Sequence, residues 1–119
     1  MKWLLVFLGG GLGSAARFGI GLWVNPVIKS FPLATFIANA LAAIIIGALF
    51  AIRKGDTHSP VWWLIAAGFC GGLSTFSTFN LETAQLMRDG QIALAVLNIV
   101  LSVLICTAIT WWVAFHLRA

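Results

Sequence analysis

Gly71-Gly72-Leu73-Ser74-Thr75-Phe76-Ser77-Thr78-Phe79 lies inside an otherwise apolar run from Pro60 to Met87. These nine residues hold two adjacent glycines, four hydroxyl side chains and two phenylalanines. Glycine is conformationally loose, and Ser and Thr hydroxyls compete for backbone hydrogen bonds, so a helix weakens here. In hydrocarbon each exposed peptide group costs several kcal/mol. Non-helical backbone is tolerated only where protein buries it or where it lines a cavity or ion path. The stretch therefore predicts a third helix broken at mid-membrane, and such a break points to a permeation or binding site.

The rest of the chain supports a membrane setting. Of 119 residues, 61% are hydrophobic and only 8% charged, and the mean hydropathy is +1.05. A soluble domain this small keeps much of its surface in water and cannot hide so much apolar area. The length admits a single domain. The first apolar stretch is too long, and lacks the small-residue end, for a cleaved signal peptide. Four runs reach the roughly 20 apolar residues needed to cross about 30 Å of hydrocarbon: about 3–24, 31–52, 60–87 and 92–117. The expected fold is an all-α membrane protein of four transmembrane helices, one four-span domain over 1–119. Short loops at 25–30, 53–59 and 88–91 make consecutive spans antiparallel neighbours.

The net charge of +4 is not a nucleic-acid footprint, because six of the seven basic residues fall in loops or at chain ends. With four spans, Lys2, Arg53, Lys54 and Arg118 share one side, against Lys29 and Arg88 on the other. A bias of four against two is a weak orientation signal and permits insertion both ways. Cys70 and Cys106 lie in apolar runs and read as reduced packing residues. His58 and His116 are peripheral, with no metal-ligand spacing around them.

Polar residues inside the spans carry the functional signal. Arg17 is the one charge deep in the first span. It costs at least about 2.5 kcal/mol there unless it reaches water. Two readings stay open: snorkelling to the interface, or attracting anions into a wet vestibule. Gly9 and Gly13 form a small-xxx-small pair for close helix approach. The run Gly11 to Ala16 has a nucleotide-binding look but no strand–loop–helix around it, so it too reads as helix packing. Thr35 and Asn39 share a face of the second span. Asn39 either bonds another helix or offers its amide donors to a pore. In the fourth span Asn98, Ser102, Cys106 and Thr110 recur every four residues, a stripe that drifts by about 40° per step. Hydroxyls can bond back to their own helix, but four such residues in one register favour a wet track. Glu82 is either an interfacial hydrogen-bonding group or a proton-coupling carboxylate.

Catalysis is hard to assemble from this set. Ser74 and Ser77 have no buried histidine, and two of the three carboxylates, Asp56 and Asp89, lie in loops. Transport is the better class, and the chain is not read as an enzyme. Phe76 and Phe79, three apart, can share a face. They either pack, or turn slightly positive ring edges to an anion. Weak, multiple contacts are what conduction needs. Unwound backbone from Gly71 to Ser74 frees carbonyl oxygens of the kind that hold sodium in transporters.

Gly68-Phe-Cys-Gly71-Gly-Leu-Ser-Thr-Phe76-Ser-Thr-Phe79 closely resembles the signature of the CrcB/Fluc fluoride channels. The likeness extends to Gly9-Gly-Gly-Leu-Gly13-Ser-Ala-Ala-Arg17-Phe and to Pro32-Leu-Ala-Thr35-Phe-Ile-Ala-Asn39, and so covers nearly the whole chain. The resemblance implies an antiparallel, dual-topology homodimer in the bacterial inner membrane. It would have two fluoride pores and a structural sodium ion on the two-fold axis. It implies sodium ligation by the backbone carbonyls of Gly71 and Ser74. It places Asn39, Phe76 and Phe79 at the fluoride path, with the hydroxyls of Ser77 and Thr78 nearby. Ser102, Cys106 and Thr110 then form a polar track. The chain departs from the family where Asn98 stands for a frequent Tyr and Cys106 for a frequent Ser. The implied function is passive export of fluoride. The rivals are a proton-coupled exporter of the small multidrug-resistance type, whose first-span acid is missing here, and a non-transporting assembly subunit.

Overall fold

The computed structural model describes residues 1–117; Arg118, counted above in the charge bias, lies outside them. Helix α1 spans Lys2–Val24 and α2 Leu33–Ile52. A π-helical segment, Trp62–Cys70, runs directly into a short α3, Gly71–Leu73. Helix α4 spans Phe76–Arg88 and α5 Ile92–His116. Four stretches are long and apolar enough to cross a membrane: Lys2–Val24, Leu33–Ile52, Trp62–Arg88 and Ile92–His116. The long axis of the bundle is 45 Å, about the thickness of a bilayer with its headgroups, ~40–45 Å.

Local chemistry sets the element ends. Ser59 Oγ accepts from Trp62 N–H at 3.2 Å and Pro60 follows it, the hydroxyl-then-proline start that suits a helix N-terminus. Helix α4 ends in a Schellman turn. Gly90 N–H bonds Met87 O at 3.1 Å and Gln91 N–H bonds Leu86 O at 2.8 Å. Gly90 itself sits at φ +79°, where a side chain would be strained.

Two helix pairs make the bundle. Helix α1 lies on the π-helical segment and α3, while α2 lies on α5. Helix α2 also touches the third stretch, and so joins the pairs. The first pairing is backbone on backbone. A Cβ at Gly9 would strike Leu64 O, one at Gly13 would strike Phe69 O, and one at Gly72 would strike Gly10 O. With no hydrophobic force between helices in lipid, such close van der Waals contact is what holds them. Ala38, Ala42, Cys70 and Leu73 form the small core where α2 meets this pair.

Aromatic residues gather at one end. Phe50 meets Trp62 and Phe115 edge-on, and His116 sits against Trp111 and Trp112. Lys2 Nζ lies 5.3 Å from the Trp63 ring centre. This is the aromatic belt of a membrane interface.

Gly13→Ala is expected to destabilise the protein by about 1–3 kcal/mol through overpacking against the backbone of Phe69 and Leu73. Gly11, on the same helix, faces open space. Gly11→Ala should therefore be neutral or stabilising by up to about 1 kcal/mol. Thermal unfolding of the two variants in detergent checks the contrast.

Candidate functional site

Helical geometry stops at Leu73. Ser74 has φ −79°, ψ 154° and Thr75 φ −151°, ψ 122°, both extended. Ser74 N–H still closes on Cys70 O at 2.9 Å, and Ser74 Oγ donates to the same carbonyl at 2.8 Å. Beyond that, side chains replace the ladder. Thr75 N–H donates to Asn39 Oδ1 at 2.9 Å. Arg17 Nε donates to Gly72 O at 3.1 Å. Thr75 Oγ1 then accepts from Thr78 N–H at 3.2 Å and caps α4. The groups that an interrupted helix leaves unpaired thus find partners on α1 and α2. Because Thr75 N–H is taken by Asn39, it does not close on Gly71 O, its partner in a continuous helix.

Beside this interruption lies a cavity of about 420 Å³. Its wall includes Asn39 and Ala43 from α2, Gly71 and Ser74, Phe76 and Phe79 from α4, and Ser102 and Cys106 from α5. Phe79 is 7% exposed and Phe76 73%, with ring centres 5.9 Å apart and planes tilted by 36°. An N–H can be met only by an acceptor, so the bond from Thr75 orients the Asn39 amide. Its oxygen faces the backbone, leaving the two Nδ2 hydrogens as donors on a residue that lines the cavity. Among the described residues, no formally charged side chain lines this space.

A second cavity, about 310 Å³, is lined by Arg17, Thr35, Thr78 and Glu82 among others. A third, about 420 Å³, shares Asn25 and Glu82 with it and continues past Lys29, Ser30 and Asp89. Glu82 Oε1 is buried with no hydrogen-bond partner among the described residues. The residues picked from the sequence therefore divide. Asn39, Phe76, Phe79, Ser102, Cys106, Gly71 and Ser74 share the first cavity, whereas Arg17 and Thr78 line the second. Ser77 is exposed, its Oγ 3.2 Å from Thr75 Oγ1.

The stripe on α5 does not keep to one neighbour. Ser102 and Cys106 reach the cavity, but Thr110 donates to Ala43 O at 3.1 Å and Asn98 is 2% exposed. Three steps of four residues sweep about 120° around a helix, so the two ends of the stripe face different helices. Asn98 meets Thr83, a residue the sequence pattern did not single out. Its signal was its place four residues after Phe79, on the same face.

Four membrane-length helices, three of them lining a cavity with an amide and aromatic rings on its wall and, among the described residues, no formal charge, suit a protein of the ion-channel kind. A family model described as "CrcB-like protein, Camphor Resistance (CrcB)" matches residues 4–114. Relatives from Salmonella arizonae, Salmonella paratyphi B and Salmonella newport, each named "Fluoride-specific ion channel FluC", are 44% identical to the chain over 114 residues. Each match covers 92% of this chain and 90% of the relative. The chain belongs to the CrcB family, whose members are multi-pass membrane ion channels and not enzymes.

Asn39→Ala would leave Thr75 N–H without its acceptor, an expected loss of about 1–3 kcal/mol. A lowered thermal midpoint in detergent is the readout; an unchanged midpoint would show that water or another group meets the amide equally well.

Proposed function

We propose that this chain forms a passive, fluoride-selective channel that lets fluoride leave the cytoplasm and so lowers its toxicity. The observation that carries the reading is the orientation of Asn39. Its oxygen anchors the interrupted backbone, so its N–H donors are available to the cavity that Phe76 and Phe79 also line. Fluoride is strongly hydrated, and a pore must replace that water with donors at several points. Amide and hydroxyl donors and ring edges bind an anion without a full opposite charge, so the ion can also leave. The relatives' name, fluoride-specific ion channel, supplies the identity of the anion. Hydrogen fluoride crosses bilayers as a neutral weak acid and dissociates in a less acidic cytoplasm. An inside-negative potential then drives the anion out, by about 2.3 kcal/mol per charge for each 100 mV.

The working unit in this reading is an antiparallel, dual-topology homodimer with two pores, in the inner membrane. The span Trp62–Arg88 has 9 and 3 helical residues before the extended pair and 13 after it. That supports reading the interruption of the third helix as lying near mid-membrane. Gly71 is exposed there in the single chain, and backbone polar groups at that depth need cover by protein. A second copy meets that need. The aromatic belt agrees, since one chain concentrates it at one end and an inverted partner would provide it at the other face.

A structural sodium ion on the two-fold axis fits the donors. The carbonyls of Gly71 and Ser74 lie at the interruption, and Gly71 O lacks its helical partner because Thr75 N–H turns to Asn39. Small hard cations take only oxygen ligands, and take more than two, so both subunits would contribute. A bound sodium would tie the interrupted helices together and raise the local potential for anions.

Vesicles holding only this protein test the reading. Fluoride release, followed with a fluoride electrode after charge balance by a potassium ionophore, is expected without any pH gradient. Drug uptake driven by a pH gradient would mark an exporter instead, and intact fluoride-loaded vesicles an assembly subunit. Phe76→Ile and Phe79→Ile should each cut flux by at least about tenfold, the equivalent of one ~1.4 kcal/mol interaction, while the dimer still assembles. Wild-type flux in both would remove the pair from the path.

A further inference from the structure

Helix α4 carries both phenylalanines of the cavity wall, and its main packing partner is α5. Among the described residues one side-chain hydrogen bond joins the two helices: Asn98 Nδ2 donates to Thr83 Oγ1 at 2.9 Å. Both residues are buried, at 2% and 7% exposed. Thr83 Oγ1 donates to Phe79 O at 2.8 Å, and Ser102 Oγ donates to Asn98 Oδ1 at 3.4 Å. The directions agree with the chemistry. An amide N–H can only donate, so the Thr83 oxygen accepts there and its single proton goes to the Phe79 carbonyl. The amide oxygen is then left to accept from Ser102. The result is one directed chain, Ser102 to Asn98 to Thr83 to the backbone of Phe79. Its two ends line the first cavity, and its two middle members do not.

We propose that Thr83 and Asn98 are positioning residues of the ion path. They set the rotation of α4 against α5, and so hold the Phe79 ring and the Ser102 hydroxyl on one cavity wall. An apolar pair would fill the same space without needing any particular pairing. A fully satisfied buried polar chain instead selects one arrangement of the two helices. The position of Thr83 amplifies the effect, because its bond is made to the backbone of the very residue whose ring forms the wall. This role rests on the channel reading given above, whereas the placement of Phe79 can be measured without it.

The test uses Thr83→Val, Thr83→Ser and the double variant Thr83→Val with Asn98→Leu. Two readouts are taken: fluoride flux in vesicles, and the ¹⁹F NMR resonance of 4-fluorophenylalanine placed at position 79. Thr83→Val is expected to lower flux about tenfold, the scale of one buried hydrogen bond, and to shift or split the resonance. Thr83→Ser, which keeps the hydroxyl, should restore both. Should Thr83→Val fail to fold, the double variant decides, because replacing both partners by apolar groups can be nearly neutral for stability. Regained thermal stability with flux still low supports positioning; regained stability with wild-type flux overturns it. A folded Thr83→Val with wild-type flux and an unmoved resonance also overturns it. If the wild type itself passes no fluoride, the channel reading fails, and the resonance alone still decides whether Thr83 places Phe79.

Discussion

Thr75 N–H meets Asn39 Oδ1 at 2.9 Å, and Gly72 O meets Arg17 Nε at 3.1 Å, on either side of the point where helical geometry stops. These two bonds let an apolar bundle carry open backbone. A lone helix end satisfies itself with water or with its own cap, and water is scarce between packed membrane helices. Here the partners come from neighbouring spans, so the interruption exists only if those spans approach closely.

The small residues bring that approach about. Gly13 and Arg17 are one turn apart on α1, and Gly13 rests against the backbone of Phe69 and Leu73. The same face that packs therefore delivers the guanidinium to Gly72. On α2, Ala38 and Ala42 enter the core beside Cys70 and Leu73, and Asn39 between them reaches Thr75. Glycine and alanine on these faces are the condition for two polar side chains to act at a distance from their own helices. Arg17 is thus neither a pure interfacial anchor nor a free charge. Its Nε is tied to backbone, and the residue lines the cavity that also holds Glu82.

Formal charge is kept to one of the two cavities beside the interruption. Arg17 and Glu82 share the second cavity, while among the described residues the first is lined without formal charge. The two charged residues thus line one space, and Asn39, Ser102, Phe76 and Phe79 the other. Thr78 and Phe79, adjacent in sequence, fall on opposite sides of that division because successive helical residues point about 100° apart.

Much of this was legible in the residues alone. Four apolar runs of membrane length, the small-residue face of α1, and the Gly-Gly-Leu-Ser-Thr-Phe-Ser-Thr-Phe stretch all declare themselves through local composition and spacing. These are properties a chain carries whatever it packs against. The π-helical form of Trp62–Cys70 was not legible, because a run apolar on every side gives no periodicity from which to tell one helical pitch from another. Nor was the fate of each polar group. Asn98 and Thr110 share a register with Ser102 and Cys106, yet one turns to Thr83 and the other to Ala43. A drifting stripe meets whichever helix stands opposite, and which helix that is depends on the pairing of α1 with the third stretch and of α2 with α5. Sequence determined the elements and the polar groups available; tertiary packing decided which of those groups hold backbone, which hold each other, and which face the cavity.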